Sequence, residues 1–246
     1  MKKTLGLLYG IFCYLAFLST SLYAVGFVGN FLVPKSMDTP ESGSFPVALF
    51  VNTLVLGVFA VQHSVMARQG FKQEWTKIIP NHLERSSYVL FSSLALTLLF
   101  YCWRPMGALL WDYSGTTTGN ILIGISFLGW LIVLVSTVLI NHFELFGLQQ
   151  VVNHFRGKKE AEVTFKTPAL YKLVRHPIYL GFIIAFWATC TMTVGHLVFA
   201  IGTTVYILIG VQLEERDLIQ LYGDTYRQYK ARVSMLFPHR WPGKRP

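Results

Sequence analysis

The sequence predicts an all-α protein: a polytopic membrane helical bundle of five to six transmembrane helices, with C-terminal amphipathic helices on the cytoplasmic side. Hydrophobic residues make up 53% of the 246 positions and charged residues only 13%, whereas soluble domains carry about 25% charged residues. Apolar runs long enough to cross a hydrocarbon core of about 30 Å recur along the chain. Basic residues collect in alternate connections between those runs, as in membrane proteins of fixed orientation.

Six apolar runs account for the predicted helices. They cover residues 4–33, 45–67, 86–103, 118–140, 178–194 and 196–213. The first run follows two lysines and ends in a pattern that is also typical of a cleaved secretory signal. Because the apolar run continues to Val33, we interpret it as a retained first span. The last two runs are short and separated only by Gly195, which predicts a tight helical hairpin, or five spans if one run is only interfacial.

The basic residues predict how the bundle is oriented. Of the 21 Lys and Arg residues, only Lys35 and Arg104 fall in the outer connections of a six-span arrangement. The excess of positive charge on the inner side therefore places the N- and C-termini in the cytoplasm, and we expect a bacterial inner membrane. It also makes the net charge of +9 a signal of topology, with membrane lipid and no nucleic acid as the partner. No obligate protein partner is evident.

The sequence is interpreted as a single integral membrane domain over residues 1–246. It contains an N-terminal four-helix region over 1–140 and a C-terminal region over 165–238 that carries polar motifs. Cys13, Cys102 and Cys190 lie in or beside three different apolar runs without CxxC spacing. They are interpreted as small buried hydrophobes, so no metal site and no disulfide framework is predicted.

The most informative feature is a pair of polar clusters on either side of the last two apolar runs. The first reads Arg-His-Pro-Ile-Tyr-Leu-Gly over residues 175–181, and the second holds Glu214 and Glu215, followed by Tyr226 and Tyr229. If the hairpin crosses the membrane twice, both clusters lie at the same water interface. There they can share one polar ligand.

The two adjacent carboxylates need a positive partner. Glu214 and Glu215 end the sixth apolar run, and two carboxylates at a membrane boundary repel each other when unpaired. A pKa shift of one unit corresponds to about 1.4 kcal/mol, so a counter-charge is expected. Arg175, Arg216 or a cationic ligand can supply it.

Local signals predict where the helices around the clusters begin. Thr167 and Pro168 are a good N-cap and first-turn pair, opening a short amphipathic helix through Leu173. Asp224, after a glycine that interrupts the helix, is expected to cap a final helix. Asn81, three residues before a glutamate, has the spacing of a capping box at the start of the third span.

These C-terminal residues resemble the signature of the isoprenylcysteine carboxyl methyltransferase and phospholipid methyltransferase superfamily. The resemblance covers about residues 168–238 and departs from the usual pattern at Tyr222, where phenylalanine is frequent. It implies a multi-span helical fold that binds S-adenosyl-L-methionine between C-terminal helices, which makes 165–238 the cofactor-binding region. It further implies that the cofactor is surrounded by His176, Tyr179, Glu214, Glu215 and Tyr226 or Tyr229.

The chemistry of that cofactor suggests roles for these side chains. A sulfonium cation favours aromatic faces and carboxylates, which the tyrosines and glutamates offer. The methionyl carboxylate suits a cationic fork, for which Arg175 is the candidate, and His176 can hydrogen-bond ribose or carboxylate. Gly181 removes a side chain where a ligand or another helix could approach closely.

The amino-terminal half resembles a narrower branch, the methanethiol S-methyltransferase family. The similar segments are residues 62–68, 84–88, 103–105 and 141–148. With both halves included, the resemblance covers nearly the whole chain. It implies an S-adenosylmethionine-dependent thiol S-methyltransferase that converts methanethiol to dimethyl sulfide.

A thiol reacts as its thiolate, which is scarce at neutral pH without a base or a positive charge nearby. The catalytic candidates on the predicted cytoplasmic rim are His63, Arg85, His142 and Glu144, and Arg68 is equally consistent with a headgroup contact. A small pocket walled by phenylalanines suffices for so small a substrate. The other histidines, which are interpreted as ordinary interfacial residues, are His82, His154, His196 and His239.

Two other enzyme classes remain as alternatives. Membrane sterol reductases end in a similar pattern and use it for a nicotinamide cofactor, although nothing in the amino-terminal half resembles them. A haem-binding membrane isomerase or a denitrification-associated protein would use His63 and His142 as axial ligands. A purely structural membrane protein does not account for so many polar residues on one rim.

Overall fold

The computed structural model describes residues 2–39, 43–158 and 165–238, and its regular structure is almost entirely helical. The elements in chain order are α1 (Lys2–Gly29), α2 (Phe45–Ala67), α3 (Gln69–Trp75), α4 (Asn81–Cys102), β1 (Leu109–Asp112), α5 (Thr117–Leu139), α6 (His142–Leu145), α7 (Leu148–Phe155), a 3-10 turn (Ala169–Lys172), α8 (Pro177–Trp187), β2 (Thr191–Thr193), α9 (Val194–Tyr222) and α10 (Asp224–Arg232). Within the described ranges, α1, α2, α4, α5 and α9 are long and apolar enough to cross a membrane. The all-α membrane fold is confirmed.

The fifth apolar run crosses beside α5 without forming a full-length helix. Its helix, α8, has 11 residues, about 16 Å at 1.5 Å per residue. Contacts nevertheless follow α5 from end to end: Tyr113 N to Cys190 O at 2.9 Å, Ser126 Oγ to Ala185 O at 3.0 Å, and Tyr171 Oη to Ser136 O at 3.3 Å. After Trp187 the chain continues beside α5 in extended conformation, so five helices are long enough to span and the sixth apolar segment is only partly helical.

The turn between the last two runs is not at Gly195, as the sequence suggested. Gly195 lies in the first turn of α9, and the chain reverses in the extended segment before it. That segment forms β2, which pairs with β1 in a two-stranded sheet. Thr189 Oγ1 also donates to the carbonyl of Thr191 at 2.7 Å. Side chains that bond the local backbone compete with helix formation, which explains the early end of α8.

Contacts divide the described residues into two compact units. The first unit contains the described residues of 1–109, 141–162 and 193–196, and the second contains those of 110–140, 163–192 and 197–246. The fourth apolar run, α5, therefore belongs with the C-terminal segments. Its close packing against α8 provides the reason.

In the second unit, two glycines let α5 and α8 touch backbone to backbone. A Cβ on Gly181 would lie 2.7 Å from the carbonyl oxygen of Gly129 and 2.8 Å from a methyl of Val133. A Cβ on Gly129 would equally meet Gly181 O at 2.7 Å. The sequence left open whether a ligand or a helix approaches Gly181, and these contacts are with a helix.

In the first unit, α1 and α2 pack on α4, and α7 packs on α1. Gly10 makes the last contact close, because a Cβ there would lie 2.4 Å from Val151 Cγ2. At the other end of α1, the aromatic rings of Phe27, Phe100 and Trp103 pack together with centroids 4.7 and 6.3 Å apart.

His196 is fully buried in the first unit, contrary to its interpretation as an ordinary interfacial residue. Its Nδ1 lies 3.2 Å from Asp38 Oδ2, and Asp38 also accepts hydrogen bonds from Thr193 Oγ1 and Asn30 Nδ2. Burial opposes ionisation of Asp38, but the His196 contact and these hydrogen bonds outweigh it and lower the pKa of Asp38. The connection after α1 is thereby fixed to the start of α9. His239 lies outside the described residues.

Two helix starts differ by one residue from expectation, and one expected helix is of a different type. Pro80, not Asn81, occupies the cap position of α4, and Gly223, not Asp224, precedes α10. The segment after Pro168 is a short 3-10 turn instead of an α-helix through Leu173. Such terminal positions depend on local backbone angles that residue type alone constrains weakly.

Candidate active site

Backbone contacts between the segment before α8 and the segment after α10 hold the first polar cluster in place. Val174 forms a parallel bridge with Ser234, and Arg175 N donates to Ser234 O at 2.8 Å. His176 N donates to Met235 O at 3.2 Å. His176 itself has an extended backbone before Pro177, which starts α8. The chain after α10 therefore fixes the segment that carries the arginine and the histidine.

Glu215 lies at the centre of this cluster, with its side chain 2% exposed. Three basic side chains surround it: Arg175 Nε at 2.7 Å, His176 Nε2 at 3.1 Å and Lys230 Nζ at 2.6 Å. Arg175 Nη1 also donates to the carbonyl oxygens of Lys230 and Val233. The expected meeting of Arg175 and Glu215 across 40 positions of sequence is confirmed. Arg175 donates from Nε to Glu215 and from Nη1 to two backbone carbonyl oxygens, so it fixes the Glu215 carboxylate to the chain around α10.

Glu214 has a different environment from its neighbour. Its side chain is 41% exposed, and Tyr179 Oη donates to its Oε2 at 2.8 Å. His176 Nδ1 lies farther away, at 3.9 Å. Successive residues of a helix point about 100° apart, so one carboxylate faces the buried cations and the other is accessible. Of the two glutamates, Glu214 is the one that a cationic ligand can reach.

Four aromatic rings form a cluster in the second unit. Phe165 lies 5.1 Å from Tyr222, 5.7 Å from Tyr226 and 5.3 Å from Tyr229, measured between ring centroids. Tyr226 and Tyr229 are 5.8 Å apart. Clusters of this kind bind methylated cations, because the ring faces carry negative electrostatic potential.

The hydroxyl of Tyr226 is buried, and among the described residues no atom is placed to hydrogen-bond it. Burial, reinforced by the negative charge of Glu215, raises the pKa of Tyr226, so this group is a protonated donor. A buried hydroxyl without a partner costs about 1–3 kcal/mol. An acceptor on a ligand would remove that cost.

Tyr229 and Tyr171 join α10 to the turn before α8. Tyr229 Oη donates to the carbonyl oxygen of Tyr171 at 2.5 Å. Burial raises the pKa of Tyr229 to about 12; the charge of Arg175 lowers it by a smaller amount, and the charge of Glu215 raises it. Burial, with the charge of Glu214, also raises the pKa of Tyr171. Both phenols therefore stay protonated at neutral pH.

A second polar group, in the first unit, contains two of the predicted catalytic residues. Tyr88 Oη lies 2.8 Å from His63 Nε2, and Ser92 Oγ lies 3.1 Å from His63 Nδ1. The guanidinium carbon of Arg85 is 5.2 Å from the centre of the Tyr88 ring. The imidazole also stacks on Phe59, with centroids 5.3 Å apart. His63 is thus held between hydroxyls and an aromatic face.

His142 and Glu144 lie in the short helix α6. Asn141, in a left-handed conformation at φ 83°, caps this helix, and its Nδ2 donates to Glu144 Oε2 at 2.8 Å. His142 Nε2 lies 3.0 Å from Tyr14 Oη, and its ring contacts Phe146 with centroids 4.8 Å apart. Burial lowers the pKa of His142, so it is a neutral base at physiological pH.

Arg85 connects the His63 group to the loop that carries His142 and Glu144. Its Nε donates to the carbonyl oxygen of Leu145 at 2.7 Å, and Ser86 Oγ donates to Gly147 O at 3.1 Å. Gly147 has φ 83°, and a Cβ there would lie 2.6 Å from Ser86 N. The four predicted catalytic residues are therefore at one end of the first unit, where hydrogen bonds join the loop that contains α6 to α4.

Several residues of these groups were not singled out as site residues in the sequence. Lys230 is four residues after Tyr226 and Tyr88 is three residues after Arg85, so helical spacing was a usable signal for both. Phe165, Tyr171, Ser92 and Tyr14 carry no local signal. Within the described part of the chain, no group of three or more His, Cys, Asp or Glu residues is arranged to hold a metal ion.

Comparisons with known proteins give a consistent result. Residues 55–233 match the family described as "Protein of unknown function (DUF1295)". The chain is 56% identical to Methanethiol S-methyltransferase 1 of Bradyrhizobium diazoefficiens, over 97% of this chain and 84% of the relative. It is 53% identical to Methanethiol S-methyltransferase of Mycobacterium tuberculosis (98% of each chain) and 52% identical to that of Crocosphaera subtropica (97% and 93%). No solved structure matches the chain.

Proposed function

The chain belongs to the methanethiol S-methyltransferase family, and from this membership we propose that it is a membrane-embedded enzyme that transfers a methyl group from S-adenosyl-L-methionine to methanethiol, giving dimethyl sulfide. The observation that carries this proposal is identity of 52–56% to enzymes of that name over nearly the whole chain. Neither the nicotinamide nor the haem alternative has an observation in its favour.

The second-unit cluster fits the proposed methyl donor. When bound, S-adenosylmethionine supplies an electrophilic methyl carbon on a sulfonium sulfur, which leaves as a neutral thioether with the electron pair of the broken bond. Glu214 and the rings of Tyr226 and Tyr229 suit the positive charge. The Tyr226 hydroxyl suits a ligand acceptor, because it is buried and has no acceptor among the described residues.

Glu215 and its basic partners have a supporting role in this proposal. Arg175, His176 and Lys230 neutralise Glu215, so Glu214 is left as the carboxylate that meets the donor. A buried carboxylate with three close basic partners also fixes the relative positions of α8, α9 and α10. Those three helices carry Tyr179, Glu214 and the tyrosines.

On the thiol side, the chain must remove a proton and accept a small apolar group. His142 is neutral and lies against the rings of Phe143 and Phe146, and His63 lies against Phe59. Arg85 and Glu144 complete the candidate set: a positive charge that favours a thiolate, and a carboxylate that can relay a proton. A two-heavy-atom substrate such as methanethiol needs no larger recognition surface.

The proposed location is an inner membrane with both termini in the cytoplasm. An even number of passes, as expected from six apolar runs, would leave both ends on the same side, and the excess of Lys and Arg in alternate connections favours the inner side. A reporter fused after residue 246 that is active only in the periplasm should stay inactive. An active reporter would reverse this orientation.

The test of the activity uses the purified full-length protein in detergent with S-adenosylmethionine and methanethiol. Headspace gas chromatography should detect dimethyl sulfide that depends on both reactants. If no dimethyl sulfide forms while another acceptor is methylated, the thiol assignment fails and the methyltransferase remains.

Binding measurements separate the cofactor alternatives. Calorimetry should show S-adenosylmethionine binding and no binding of a nicotinamide dinucleotide, and the pure protein should lack a Soret band. His142→Ala should lower turnover of methanethiol while the affinity for S-adenosylmethionine stays near that of the wild type. Equal loss of both would contradict the thiol-side role of His142.

A further inference from the structure

The hydroxyl contacts around His63 bear on which group first receives the thiol proton. Tyr88 Oη is 2.8 Å from Nε2 and 3.2 Å from Nδ1, and Ser92 Oγ is 3.1 Å from Nδ1. Both imidazole nitrogens therefore already lie within hydrogen-bond distance of a hydroxyl. The shortest path for a proton from a thiol to this imidazole passes through one of those hydroxyls.

Of the two hydroxyls, that of Tyr88 gives up its proton far more readily, and the oxygen that has given its proton to His63 can then accept the proton of a thiol. Phenols and alkanethiols have acidities of similar order, whereas an alkyl hydroxyl such as that of serine is far less acidic, so a proton moves between thiol and phenol without a steep uphill step. The Arg85 guanidinium, 5.2 Å from the ring centre, stabilises negative charge that develops on the phenol.

The surroundings of Tyr88 suit a small apolar thiol. Tyr88 is 8% exposed and belongs to a buried cluster with Met66 and Val89, against which Phe17 and Phe146 pack. Phe146 contacts His142, and Arg85 donates to the residue before Phe146, so the cluster is continuous with the α6 loop. An apolar wall beside one polar hydroxyl is what a methyl group joined to a thiol requires.

We propose that Tyr88 is a catalytic residue that takes the proton of the thiol and passes its own phenolic proton to His63 Nε2. The S–H bond breaks and its electron pair stays on sulfur, a new O–H bond forms on Tyr88, and the old phenolic proton ends on the imidazole. The products are a thiolate, a neutral phenol and an imidazolium, which later loses its proton to water. This inference rests on the proposed function.

The test compares methanethiol with methaneselenol, which has nearly the same shape but is much more acidic and needs no base at neutral pH. Tyr88→Phe keeps the ring and its contact with Arg85 and removes only the hydroxyl. We expect kcat/KM for methanethiol to fall about 100-fold, as for loss of a general base. The value for methaneselenol should fall less than about threefold, because its proton is already gone.

Two further variants complete the design. Tyr9→Phe is the matched control, since it removes a phenol that bonds Ser87 Oγ at 2.9 Å between α1 and α4; it should leave both rates near wild type. His63→Gln should reproduce the selective loss on methanethiol, and it carries the test if Tyr88→Phe does not fold.

The outcomes are distinct. Equal losses on the thiol and the selenol in both variants would overturn the relay and leave Tyr88 a packing residue. Unchanged rates with methanethiol would do the same. If the wild type produces neither dimethyl sulfide nor dimethyl selenide, the proposed function itself fails.

Discussion

The unequal environments of Glu214 and Glu215 predict that neutralising each one has a different consequence. Glu215→Gln removes the charge at the centre of three basic groups, while Arg175 and Lys230 remain in place. Breaking a buried ion pair from one side costs about 3–5 kcal/mol, because the partner charge is left uncompensated. Arg175 is 9% exposed and Glu215 2% exposed, so solvent screens little of this loss.

The size of the effect on thermal unfolding follows from chain length. For chains of 150–250 residues, 1 kcal/mol moves Tm by about 2–4 °C, so we expect Glu215→Gln to lower Tm by about 10 °C. Glu214→Gln is the matched variant at the next position. Its side chain is 41% exposed, so its effect on Tm should correspond to at most about 1 kcal/mol.

The affinity for S-adenosylmethionine should follow the opposite order at low temperature, where both variants are folded. Glu214→Gln removes the accessible charge and should weaken binding about tenfold, or 1.4 kcal/mol. Tryptophan fluorescence during heating and titration calorimetry in detergent provide the two measurements. A larger loss of Tm in Glu214→Gln than in Glu215→Gln would refute the division of roles between the two glutamates.

Three other predictions address packing, the donor site and pH. Gly181→Ala should destabilise the protein by about 1–3 kcal/mol, because its Cβ meets backbone at 2.7 Å, whereas Gly124→Ala on α5 has open space and should not; equal unfolding temperatures would contradict this packing. Tyr226→Phe removes a buried hydroxyl without a hydrogen-bond partner, so it should raise the stability of the ligand-free protein by about 1 kcal/mol. The same change should weaken S-adenosylmethionine binding, and unchanged binding would exclude a contact between Tyr226 and the methyl donor. The pKa of Asp38 is lower in the folded protein than its unfolded value of 3.8, so its contribution to stability is full above 3.8 and is lost as the pH falls through the folded value. Asp38→Asn should therefore flatten the acid side of a plot of unfolding free energy against pH. An unchanged slope would disprove the role of the His196 contact.

Local sequence patterns predicted the main features of the fold, because the cost of polar groups in lipid restricts spanning segments to long apolar helices. The apolar run at 178–194 shows the limit of that reasoning. Hydropathy treats Thr189–Thr193 as part of a helix, yet their pairing with β1 ends α8 at Trp187. The partner strand is about 80 positions away, so no window of local sequence contains it.

Gly181, in the first polar cluster, shows the same limit of reasoning from local sequence. Its residue type indicated close approach, but the approaching group, the backbone of Gly129, belongs to a helix about 50 positions earlier. That contact also explains why α5 packs with the C-terminal segments instead of the first three long helices. Hydropathy groups segments by their order in the chain, whereas the compact units follow packing.

The sequence by itself determined the class of protein, the long apolar helices, the two polar motifs and the family, since composition, hydropathy and motif spacing are properties of the chain as written. Only the tertiary structure decided which glutamate is buried among Arg175, His176 and Lys230 and which one is accessible. Likewise, only the fold joined His63 to Tyr88 and Ser92, and Arg85 to the loop of His142. Charge pairing and hydrogen bonding act over a few ångströms in space, and distances along a chain do not specify them.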